Sequence, residues 1–169
     1  ELKTKSAKDL PFLRWPDRVP CIEANLYILS KFNIGLSRRV KGGTLRTYAY
    51  NISHLIRFCF NNKINITNLT DNHFGLFVRG LQAERDKLDK RVRSNTQVCT
   101  IGRTCIDFLL FVANLHSLTN FIGKENFNSI ILDEKKIKIL PEGCKNPIIK
   151  TFWNHTSFPK PDNIKKRHP

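Results

Sequence analysis

Two short runs of this chain combine residue types that bind phosphate. Thr44, Arg46 and Thr47 stand ahead of Ile52, Leu55, Phe58 and Cys59, which recur at helical spacing. Arg93, Ser94, Asn95, Thr96 and Gln97 stand ahead of Val98, Ile101, Cys105, Phe108 and Phe111. Hydroxyl and amide side chains before an apolar helical repeat are N-cap residues, placed where a helix start leaves N–H groups unpaired. With arginine beside them, such openings attract phosphate. Thr100 and Arg103 lie one and two turns further along the second helix, and Arg38, Arg39 and Lys41 occupy the loop before the first.

Other chemistry finds less support. His54-Leu55-Ile56-Arg57 has the His-x-x-Arg spacing used to hold a scissile phosphate, but it lies inside a helical repeat. The tyrosines are Tyr27, Tyr48 and Tyr50, so no nucleophilic Tyr follows it. Its ordinary role is a polar helix face. His73, His116, His155 and His168 lack metal-ligand spacing, and Cys144 with His155 makes only half a zinc set. Asp71 with Asp107 or Glu84 makes no two-metal carboxylate cluster, and Gly42-Gly43 lacks the context of a phosphate loop. No catalytic residue, metal or cofactor is assigned.

Charge narrows the partner. Twenty-nine Lys and Arg against fourteen Asp and Glu give a formal charge of +15, which favours an anionic partner. Hydrophobic residues at 40%, with twelve Phe, exclude a disordered polycation. Nucleic acid is the expected partner. No basic amphipathic helix suits a membrane surface, and no apolar run approaches the roughly 18 residues of a span. The five cysteines form no CxxC pair, and Cys59, Cys99 and Cys105 fall in apolar stripes, as buried thiols do in a reducing compartment. Without a signal peptide, a cytoplasmic protein is expected, and Glu1 at the start suggests a piece of a longer one.

The elements that position these residues read as follows. Residues 1–19 form an N-terminal arm. Ile22, Leu26, Leu29 and Phe32, with Ile28, predict a first helix from Pro20, stopping at Gly35. A second, capped by Thr44, runs from Leu45 to about Lys63 with Leu45, Tyr48, Ile52, Leu55, Ile56 and Cys59 inward. Thr70 and Asp71 open a third through Phe74, Phe77, Val78 and Leu81. Glu84 to Arg93 alternates in sign as a solvated loop does. The fourth runs from Thr96 to Asn114, with Val98, Ile101, Cys105, Phe108, Leu109 and Val112 inward. Gly102 costs that helix up to about 1 kcal/mol of propensity, which predicts a close packing contact. Residues 120–128 suit a short helix. Ile130-Ile131-Leu132 and Ile137-Lys138-Ile139 around Asp133–Lys136 suit a small hairpin, and the prolines from Pro141 onward suit a linker or strap. The expected class is all-α: four to five short helices over 20–118, an extension over 119–140, and a Pro-rich basic tail over 141–169.

These motifs carry a family resemblance. Thr44-Leu45-Arg46-Thr47-Tyr48, then Ile52, Leu55 and Phe58, resembles the T-L-x-x-Y-x-x-x-L-x-x-F helix of tyrosine recombinases, or phage integrases. Ser94-Asn95-Thr96 with Arg103 and Phe108 is similar to the second signature helix of their SAM-like core-binding domain, and Thr70 to Phe74 matches an intervening T-x-x-x-F helix. The likeness spans Pro20 to Leu115. Ser157-Phe158-Pro159-Lys160-Pro161 looks like the connector to a catalytic domain. The resemblance implies a duplex-DNA clamp with helices two and four toward the major groove. Thr44, Arg46, Thr47, Arg93, Ser94, Asn95, Thr96, Gln97, Thr100 and Arg103 would contact DNA, with base reading from Asn95, Gln97, Arg46 or Arg103. It also implies self-association on DNA through the full-length protein, a bacterial cytoplasm or nucleoid, and no catalysis by this chain itself. Gly42-Gly43 departs from the Ser-Pro or Ser-x of family members, which leaves the path of Arg38, Arg39 and Lys41 open. The alternative is a helical protein-interaction or oligomerisation module, whose arginines would scatter around an apolar patch.

Overall fold

Tyr27 decides how the bundle begins. The structure, a computed structural model, describes residues 8–35, 43–139 and 148–160. Helix α1 (Ile22–Asn33) buries Ala24, Tyr27, Ile28 and Phe32. The Tyr27 ring meets Phe108 and Phe111 edge-on at 5.4 and 5.6 Å, and its hydroxyl donates to Asp107 Oδ2 at 2.7 Å. Burial, then the Asp107 charge, hold the phenol protonated far above its usual range. The spacing that predicted this helix does not mark its buried face. Ile22, Leu26 and Leu29 are 66%, 38% and 43% exposed, because Tyr27 turns the adjacent face to the core.

Helices α2 (Thr44–Asn61), α3 (Asp71–Ala83) and α4 (Asn95–Leu115) complete the bundle, with a 3-10 turn at Ile66–Asn68. Helix α4 contacts the other three and is the central element. All six residues expected inward on it are buried. Helix α4 is long and apolar enough to cross a membrane by length and composition, and those apolar residues fill the bundle core. Helix α3 opens on Thr70, whose hydroxyl accepts from His73 N while the His73 ring accepts from Thr70 N. Helix α2 corrects an expectation: its N-cap is Gly43, without a side-chain cap, and Thr44 is its first residue. Cys21, Cys59, Cys99 and Cys105 are buried free thiols, with Cys59 pushed up to about 12 mainly by burial.

The flanking segments differ more from expectation. The arm packs onto α1: Leu13 is buried, and Asn25 exchanges hydrogen bonds with the Leu13 backbone at 2.8 and 2.9 Å. Residues 120–128 form no helix. Strand β1 (Ile122–Gly123) pairs in parallel with β2 (Ile130–Ile131). The hairpin joins β3 (Asp133–Ile139) to β4 (Ile148–Asn154), antiparallel from Asp133↔Asn154 to Ile139↔Ile148. Asp133–Lys136, expected as its turn, lies inside β3, and the supposed linker supplies β4. Cross-strand pairing outweighs the turn-like composition there.

After β4 the chain becomes a strap across α3 and α4. His155, 2% exposed, bonds through Nε2 to Asp71 Oδ1 at 2.9 Å. Phe158 lies over Gly102, where a Cβ would sit 2.4 Å from the ring. The contact expected of Gly102 is thus the strap itself. Cys99 Sγ donates to Pro159 O at 3.3 Å, and Asn95 Nδ2 to Lys160 O at 3.0 Å.

Candidate nucleic-acid interface

The two helix openings meet at one groove of about 370 Å³. Thr47, Tyr50 and Asn51 line it from α2; Val92, Arg93, Ser94, Thr96, Gln97, Thr100 and Ile101 line it from the start of α4. Helix-to-helix bonds set this register. Asn51 Nδ2 donates to Thr104 Oγ1 at 3.0 Å, and Cys105 Sγ donates to Asn51 O at 3.7 Å. These bonds anchor α2 to α4 at the groove's Asn51 wall.

The predicted residues divide by what each side chain already does. Arg93 lines the groove with its side chain 9% exposed and is ion-paired to Glu84, which is 51% exposed. The Arg93 hydrogen bond holds the Glu84 carboxyl below its usual range. Ser94 and Gln97 form a reciprocal capping box: Ser94 Oγ accepts from Gln97 N at 3.2 Å, and Gln97 Oε1 accepts from Ser94 N at 2.9 Å. The Gln97 amide NH2 and the Ser94 hydroxyl proton are left for a ligand. Thr100 Oγ1 donates to Thr96 O at 2.9 Å, so without rotation it offers a ligand lone pairs rather than a proton.

Asn95 departs from expectation. Its Nδ2 donates to the strap and its Oδ1 accepts from Arg91 Nη1 at 3.3 Å, so it faces away from the groove. Thr44 is half-buried at the helix start, and Arg46 and Arg103 are exposed outside the groove lining. Arg38, Arg39, Lys41 and Cys144 lie outside the described residues. Among the described residues, no three His, Cys, Asp or Glu cluster as metal ligands.

Tyr50, Asn51 and His54 were legible only as polar faces of α2. Tyr50 is 59% exposed at the groove and meets His54 edge-on at 4.8 Å. His54 is 8% exposed, which corrects its reading as a polar-face residue. Its Nδ1 bonds Arg57 Nη2 at 2.9 Å, so the His-x-x-Arg string is a real contact. Arg57 can only donate, which makes Nδ1 the acceptor and places the ring proton on Nε2, a buried atom with no partner among the described residues. Burial, then Arg93 and Arg57, push the imidazole down to about 4. His54 is therefore neutral at pH 7. The one arginine in the groove lining is Arg93.

No family model, no curated protein and no solved structure matches this chain.

Proposed function

We propose that this chain binds duplex DNA through the α2–α4 groove, as the SAM-like core-binding domain of a site-specific tyrosine recombinase. It clamps DNA at a recombination site and performs no strand transfer itself. One observation carries the reading: Thr47 of one basic helix opening and Arg93, Thr96, Gln97 and Thr100 of the other share a single groove. Arg103, on α4 beyond the groove, has no hydrogen-bond or ion-pair partner among the described residues and extends the cationic surface. Phosphate contacts dominate the energy, and any base reading falls to the Gln97 amide, Arg46 or Arg103. Self-association on DNA and a bacterial cytoplasmic or nucleoid setting belong to the same proposal.

Titrating a fluorescent duplex at several salt concentrations tests it. Affinity should fall about tenfold or more between about 50 and about 200 mM salt, because phosphate binding releases counterions. Undetectable binding at low salt, or affinity indifferent to salt, overturns it. The exposed Ile22, Leu26 and Leu29 stripe on α1 supports the second reading, an oligomerisation module. Sedimentation without DNA separates the two: a DNA clamp stays monomeric, and a module that assembles through α1 does not.

A further inference from the structure

A second cavity, of about 470 Å³, lies between the first turns of α3 and the strap, lined by Asp71, Asn72, Gly75, Arg79, His155, Thr156 and Ser157. Three of these side chains form a chain of hydrogen bonds. Asp71 Oδ1 lies 2.9 Å from His155 Nε2, and His155 Nδ1 lies 2.7 Å from Ser157 Oγ. The Ser157 backbone N–H also donates to Nδ1, at 3.1 Å. That bond makes Nδ1 an acceptor and leaves the ring proton on Nε2, facing the carboxylate. Asp71 is held in place because its Oδ1 also accepts from Ile131 N at 2.9 Å. The buried histidine is thus in the tautomer a general base needs, oriented by an anchored carboxylate and touching a half-buried hydroxyl at a cavity wall.

We propose that Asp71, His155 and Ser157 form an acyl-transfer centre that accepts small carboxylic esters. The constellation is defined by geometry and roles rather than by sequence order. Ser157 Oγ attacks the ester carbonyl carbon as its proton passes to His155 Nδ1, forming the new C–O bond. The bond to the leaving alkoxide then breaks, and the alkoxide oxygen takes the proton back from Nδ1. Water repeats both steps, releasing the acid and restoring the Ser157 hydroxyl. Asp71 is a positioning residue that steadies the imidazolium formed between the steps. Arg79 and Asn72 line the same cavity without a hydrogen-bond or ion-pair partner among the described residues. Their N–H groups are available to the charge that grows on the carbonyl oxygen. The Arg79 guanidinium lies against Gly75, with Nη1 3.3 Å from where a Cβ would sit.

The same bonds also fasten the strap, and Ser157→Ala separates the two roles. It removes only Oγ and keeps both the Ser157 N–H bond to Nδ1 and the His155–Asp71 bond. The test treats the whole chain with p-nitrophenyl acetate and with an alkyl fluorophosphonate, and locates adducts by peptide mass mapping. The expected result is a single adduct on Ser157, absent from Ser157→Ala. His155→Gln should slow its formation about 100-fold, the scale of general-base catalysis. Asp71→Asn should move the midpoint of the rate's rise with pH. Adducts confined to lysines, or equal ester turnover in Ser157→Ala and the parent chain, would overturn the proposal and leave the three residues as a strap fastening.

Discussion

The start of helix α4 has two flanks, and they meet opposite fates. On one, Asn95, Cys99 and Gly102 accept the strap through two hydrogen bonds and an aromatic ring. On the other, Arg93, Gln97 and Thr100 face α2 across a groove that the described chain leaves open. The covered flank carries the smallest residue of the helix, and the open flank carries the cation. A phenyl ring can settle on a bare backbone, whereas the Arg93 side chain, 9% exposed, pairs with a carboxylate that is itself half exposed. The first flank serves stability, and the second is the one proposed to bind. Mutations should separate them.

The largest effect expected lies beneath the open flank, at His54. Folding lowers its pKa from the ordinary 6.5 to about 4, so between these values the unfolded chain binds the additional proton. The contribution of neutral His54 is therefore complete above about pH 6.5 and is lost as pH falls toward 4, by up to about 3 kcal/mol. Urea unfolding at several pH values measures it, and His54→Gln should flatten that slope. An unchanged slope would remove His54 from the account.

On the covered flank, Gly102→Ala drives a methyl into Phe158. Overpacking should cost about 2 kcal/mol, exceeding the roughly 1 kcal/mol gained in helix propensity. Thermal unfolding should register the net loss while duplex affinity holds. On the open flank the outcome reverses in kind: Arg93→Ala should weaken duplex binding about tenfold at low salt and reduce the salt slope by about one contact. An equal effect of both substitutions on affinity would erase the distinction between the flanks. Glu84→Gln gives the smallest change. Freeing Arg93 from its carboxylate partner should tighten duplex binding about threefold, read in the same titration.

Much of the bundle was legible because apolar spacing and capping chemistry act locally. Ser94 with Gln97 and Thr70 with Asp71 mark helix starts within a residue of where they occur, and the inward set of α4 is complete. The buried face of α1 was not legible, because Ile22, Leu26 and Leu29 make as good a stripe as the face holding Tyr27. Only Phe108, Phe111 and Asp107, some eighty residues away, break the tie. The hairpin was misplaced for a related reason. Lys135 and Lys136 look like turn residues until Phe152 and Thr151 appear opposite them. At the groove, Thr47, Arg93, Thr96, Gln97 and Thr100 were singled out because they stand at or within a turn or so of the two helix openings, and the structure brings them to one lining. Asn95 belongs to the strap, a contact no local pattern signals.

The sequence by itself determined four amphipathic helices, their polar openings and a large cationic surplus, because propensity, capping and charge depend on near neighbours. Tertiary structure alone decided which flank of α4 the strap covers, that His54 is buried, and that Asp71 and His155 meet. Those arrangements join residues up to eighty-four positions apart, and such pairings are selected by shape and hydrogen-bond satisfaction across the core, which spacing along the chain does not encode.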